Sequence, residues 1–83
     1  MYSSAQLNQL LDEAKRNLQY ARADAEQSNA EARTAVQIFE QVAIGTARFT
    51  EINDKLNEVV RETNLLLVSL ESALGFVDRC PPF

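Results

Sequence analysis

From Leu7 to Val42 the chain sets a small or apolar residue at every step of an alternating count of four and three. The run is Leu7, Leu11, Ala14, Leu18, Ala21, Ala25, Ser28, Ala32, Ala35, Phe39 and Val42, and no Gly or Pro interrupts it before Gly45. A repeat of about 3.5 residues keeps one stripe of a helix turned toward a neighbour along its whole length. The pattern therefore specifies a long helix with a coiled-coil-like seam, and it leaves little room for strands. Ser3 and Gln6 have the spacing of a capping box, and Tyr2 and Leu7 that of a hydrophobic staple, so the helix is predicted to start at Ser3 or Ser4.

A second seam runs through Ile52, Leu56, Val59, Thr63, Leu66, Leu70, Ala73 and Val77, with the same alternation but out of phase with the first. The phase break falls near Gly45, with Thr46 and Thr50 as candidate N-caps for a new helix. If the chain folds back there, facing residues have numbers that add to 91, and the centre lies between Gly45 and Thr46. The reading is an all-α antiparallel helical hairpin forming one domain over 1–83. Its helix 1 spans about 3–44, its turn about 45–49, its helix 2 about 50–79 and its tail 80–83. Pro81 disfavours helix at Cys80, which ends the second helix near Arg79. Gly75 as a C′ residue is the alternative end.

This register sets Ala14, Ala21, Ala25, Ala32 and Ala35 against Val77, Leu70, Leu66, Val59 and Leu56, small against large. It sets Ser28 against Thr63. Either the two form a polar layer across the seam, or Ser28 turns to solvent or to its own helix. Arg22–Glu26, Asp12–Arg16 and Glu51–Lys55 have the spacing of intrahelical ion pairs. Val60, Leu67 and Leu74 lie one position past seam residues, and Leu65, Val68 and Phe76 widen the apolar face further. These six are the candidate interaction surface, because a helix apolar nearly all round needs a second neighbour. Homodimerisation into a four-helix bundle supplies one most simply, and docking onto a different protein is the alternative.

Composition removes most chemistry. Without His there is no Glu-x-x-His metal site and no Ser–His or Cys–His nucleophile, so no catalytic, cofactor-binding or metal residue is assigned. Gly45 and Gly75 are isolated and form no phosphate-cradling loop. Eight Lys and Arg dispersed among 12 acidic residues, for a net charge of −4, argue against nucleic acid. The apolar stretch 63–77 contains Glu71 and is too short to span a bilayer, and the first residues lack a secretory signal's pattern. A cytoplasmic protein is expected, with export by a route without a cleaved signal as the alternative. Cys80 is either a reactive or intermolecular thiol or a small apolar residue closing the seam. Pro81-Pro82-Phe83 is either a docking peptide or a frayed end.

The function expected is a non-enzymatic protein–protein interaction module, acting as a helical-hairpin homo-oligomer in the role of subunit, adaptor or inhibitor. A binder of small ligands or nucleotides in the crevices of the oligomer is the alternative. In length and shape the chain resembles the small helical hairpins of bacterial secretion systems, which implies a subunit or chaperone role. It departs from them at the turn. Ile44 and Gly45 stand where the secreted hairpin dimers carry Trp-x-Gly, and the Pro-flanked turn of needle subunits is missing.

Overall fold

A computed structural model describes residues 1–41 and 47–83 of the chain. Two helices, α1 (Ser4–Gln41) and α2 (Ala47–Asp78), lie antiparallel in an extended hairpin of 62 × 20 × 14 Å, with no strand among the described residues. The long dimension is that of α1 itself, whose 38 residues span about 57 Å at about 1.5 Å each.

Local chemistry sets the helix ends. The backbone N–H of Gln6 donates to Ser3 Oγ (3.2 Å), and that of Ser3 donates back to Gln6 Oε1 (2.8 Å). This reciprocal box satisfies two N–H groups that have no partner within the helix. Beyond Asp78 the chain tightens, with Arg79 N–H on the Phe76 carbonyl (3.2 Å) and Cys80 N–H on that of Val77 (3.1 Å). Pro81 and Pro82, which have no N–H, follow. Gly75 does not end the helix. It has no left-handed φ, and α2 continues through it.

α2 begins at Ala47, so residues 47–49 are helical where a turn was expected, and Thr50 lies inside the helix rather than at its cap. Part of the reason is aromatic. Phe49 stacks at a tilt on Phe39 of α1, with ring centroids 5.5 Å apart and planes at 55°, a contact that requires the first turn of α2 to be formed. The expected seam residue Val42, the break at Gly45, the cap at Thr46 and the centre of the turn lie outside the described residues.

Specific contacts among the described residues tie α1 to α2 and to the tail at the turn end, at mid-length and at the open end. The Phe39–Phe49 pair holds the turn end. Asn29 of α1 donates to Thr63 Oγ1 of α2 (2.7 Å) at mid-length. At the open end the Asn8 amide grips the tail at two points, accepting from Phe83 N–H (2.8 Å) and donating to Phe83 O (3.3 Å). The tail is thus tied to α1 rather than frayed. Cys80, half-buried, borders a hollow of about 230 Å³ with Asn8, Leu11, Lys15 and Pro82.

The seam differs from the expected one by a rotation. Half of it stands: Leu11, Leu18 and Phe39 of α1 are half-buried, Ala25 and Ala32 buried, and Leu56, Thr63, Leu70 and Val77 of α2 half-buried. In the other half Ala14, Ala21, Ser28, Val59 and Leu66 are exposed, Ala35, Ile52 and Ala73 stay half-buried, and the burial shifts toward the next residue along each helix. Lys15, Arg22, Asn29 and Val36 take the places expected for Ala14, Ala21, Ser28 and Ala35. Asn53, Val60, Leu67 and Leu74 take those expected for Ile52, Val59, Leu66 and Ala73. One residue is about 100° of helix, so moving half of the stripe turns its midline by about 50°. The Asn29–Thr63 pair makes the facing numbers add to 92 instead of 91.

Size and stem length account for the rotation. Leu74 buries more apolar surface than Ala73 would, and it is the least exposed residue of α2, at 4%. Lys15 and Arg22 are half-buried where Ala14 and Ala21 are exposed, and long side chains of this kind can cover apolar surface with their stems. Even so the core is thin. Among the described residues, Ala25, Ala32, Val36 and Leu74 are the buried apolar ones, and no large side chain is fully enclosed.

Two substitutions test this account of the helix ends. A Cβ at Gly75 would meet nothing within 4 Å, so Gly75→Ala should stabilise the protein by about 0.5–1 kcal/mol in denaturant titration. Ser3→Ala removes one half of the capping box and should cost about 1 kcal/mol in the same titration.

Candidate functional site

Asn29 is the buried polar residue of the described chain, 7% exposed, and each of its amide atoms is engaged. Its Nδ2 donates toward Thr63 Oγ1 (2.7 Å), Asn64 Oδ1 (3.0 Å) and the Val60 carbonyl (3.2 Å), so two hydrogens serve three acceptors across the seam. Its Oδ1 accepts from Arg33 Nε (2.8 Å), whose Nη2 also donates to Asn64 Oδ1 (3.2 Å). The Thr63 hydroxyl donates its own hydrogen back along α2, toward the carbonyls of Val59 (2.8 Å) and Val60 (3.1 Å). The expected polar layer therefore exists at Thr63, but Asn29 fills it, and Ser28 is exposed.

This cluster gives the hairpin two unlike sides. In antiparallel helices, residues one position before the seam lie on the same side of both. Here those include Ala14, Ala21, Ser28 and Ala35 on α1 with Ile52, Val59, Leu66 and Ala73 on α2, and farther round the charged Asp24, Glu31, Lys55 and Glu62. Ala35, Ile52 and Ala73 are half-buried, while Val59 (42%) and Leu66 (48%) are open to solvent. The opposite side carries Arg33, Asn57 and Asn64 beside the cluster. A hollow of about 240 Å³ there is lined by Arg33, Val36, Gln37, Glu40, Asn57 and Val60.

The six residues of the expected interaction surface are not brought together. Leu74 is buried and Val60 and Leu67 are half-buried, all three in the hairpin's own seam. They are engaged inside the chain, and the apolar residues left outside are different ones. Leu65 (69%), Val68 (65%) and Phe76 (66%) are exposed, pointing away from α1 on the outer side of α2. Leu66 and Val59, expected in the seam, are exposed, as are Leu10 and Ile38 of α1, which the sequence reading did not single out. The available signal was Asn29 itself. An amide on the four-and-three count, with Asn57 and Asn64 seven apart on the other helix, marks which edge of the apolar stripe turns inward.

Among the described residues no group of three or more His, Cys, Asp or Glu could hold a metal ion. No helix of the described chain is long and apolar enough to cross a membrane. The salt bridges Arg22–Glu26 (3.8 Å) and Lys55–Glu58 (3.6 Å) are intrahelical and at the surface, and Lys55 reaches Glu58 rather than the expected Glu51. Such pairs add a few tenths of a kcal/mol to helix stability.

The polar cluster yields a paired test. Asn29→Ala leaves Thr63 Oγ1 without its cross-helix donor and Asn64 with Arg33 alone, and should destabilise the protein by about 1–3 kcal/mol. Ser28→Ala, one residue away and exposed, should stay within about 0.5 kcal/mol of the parent. Thermal unfolding of the two variants side by side reads the difference.

No protein-family model, curated protein or solved structure matches the chain.

Proposed function

We propose that the chain is a non-enzymatic protein–protein interaction module that works as a helical-hairpin homo-oligomer, in the role of a subunit, adaptor or inhibitor. The observation that supports this reading is area. A compact monomer of this mass exposes about 5,000 Å², whereas the hairpin exposes 6381 Å². The excess of about 1,400 Å² follows from the rod shape, which leaves apolar side chains such as Leu65, Leu66, Val68 and Phe76 uncovered.

Energetics point the same way. A core of three small residues and one leucine gives a two-helix rod little stability of its own, so burial against a neighbour becomes part of folding. The exposed Val59 and Leu66, with Leu65, Val68 and Phe76 on the outer side of α2, are the surface such a neighbour would cover. The alternating spacing of both seams is coiled-coil-like and suits helix-on-helix docking as the mode of contact. A cytoplasmic setting fits a chain with one cysteine and no span-forming helix among its described residues.

Sedimentation equilibrium, combined with thermal melts over a hundredfold range of protein concentration, tests the reading. We expect a mass of at least two chains at micromolar concentration and a melting temperature that rises with concentration. A monomer whose melting temperature does not depend on concentration would overturn it.

A further inference from the structure

We infer that the tail 81–83 is a strap across the open end of the hairpin, held to α1 through its backbone by the Asn8 amide, and that it opens and closes while both helices stay folded. Its movement belongs to a single chain, whatever the oligomeric state.

Backbone chemistry brings the strap to Asn8. The turn that ends α2 closes with Cys80 N–H on the Val77 carbonyl (3.1 Å). Pro81 and Pro82 have no N–H to give. The N–H of Phe83 is therefore the first backbone donor after Cys80. It reaches Asn8 Oδ1 (2.8 Å), while Asn8 Nδ2 donates to Phe83 O (3.3 Å). A primary amide carries an acceptor and a donor side by side, so one side chain matches the N–H and the C=O of a single residue. Among the described residues, these are the two hydrogen bonds that 81–83 make.

The side chains of the strap do not account for the hold. Pro81, Pro82 and Phe83 are all exposed, Phe83 at 64%. A hollow of about 230 Å³ lies between the strap and α1, lined by Asn8, Leu11, Asp12 and Lys15 at the spacing of one helix face, and by Cys80 and Pro82. The strap is thus not packed flush on α1, and the dispersion contacts a filled space would supply are missing there. Two surface hydrogen bonds that water can replace give way far more readily than a helix does, so opening is local. The two prolines stiffen the segment, which then moves as a unit about residues 79–80, where the helix has ended. Opening takes Pro82 off the hollow and uncovers Leu11 and Cys80, both half-buried when the strap is closed.

Hydrogen exchange at the Phe83 amide and alkylation of Cys80 by iodoacetamide, both on the full chain, report the state of the strap. In the parent the Phe83 N–H should exchange about fivefold more slowly than an unstructured amide. Asn8→Ala should abolish that protection and speed alkylation about threefold or more, with helix content by circular dichroism unchanged. Alanine is the better helix former, so fraying of α1 is not the source of such a gain. Phe83→Pro removes the N–H without touching Asn8 and should speed alkylation to a similar degree. Phe83→Ala keeps the backbone and should leave both readouts within about twofold of the parent. Release by Phe83→Ala equal to that by Asn8→Ala would assign the hold to the ring and overturn the inference. So would parent values of both readouts in Asn8→Ala, or a loss of helix content in Asn8→Ala and Phe83→Pro alike, which would make the strap part of the cooperative fold.

Discussion

Asn29 has to be satisfied where it lies, and the rest of the hairpin arranges itself around that requirement. A buried amide without partners costs about as much as several favourable contacts return, so the helices settle where Thr63, Asn64, the Val60 carbonyl and Arg33 all reach it. One residue of slip would bring Ser28 to Thr63, as small-against-large packing alone suggests, but it would leave the longer amide outside. The cluster links the helices at mid-length, and the aromatic pair and the Asn8 clamp tie the chain at the two ends.

The rotation has a consequence for the surface. The seam takes in Val60, Leu67 and Leu74 and turns the edge with Val59 and Leu66 outward. One side of the rod is then rich in amides and charge, and the other carries small and apolar residues with charge farther round. A hairpin built on apolar residues alone would bury the centre of its stripe and leave two similar flanks. The buried amide makes the flanks different, which gives any partner a preferred side.

Stability and interaction are coupled for the same reason. A narrow two-helix rod cannot enclose a large side chain from all directions, because each helix contributes only one stripe to the contact. Every apolar residue beyond that stripe is exposed until something covers it. The excess exposed area is thus a product of the architecture.

Much of this was legible without coordinates. The alternation of four and three determines two helices, the Ser3–Gln6 spacing determines where the first begins, and Pro81 with Pro82 determines that the second stops near residue 79. Each of these depends on neighbours within a few residues. What only the tertiary structure decided is which edge of the apolar stripe faces inward. Ala14, Ala21 and Ser28 read as core by hydropathy, and Lys15, Arg22 and Asn29 read as surface. The two sets differ by a single residue step, so local pattern cannot separate them. The choice belongs to contacts across the seam: Leu74 outweighing Ala73, and an amide on one helix meeting a hydroxyl and an amide on the other.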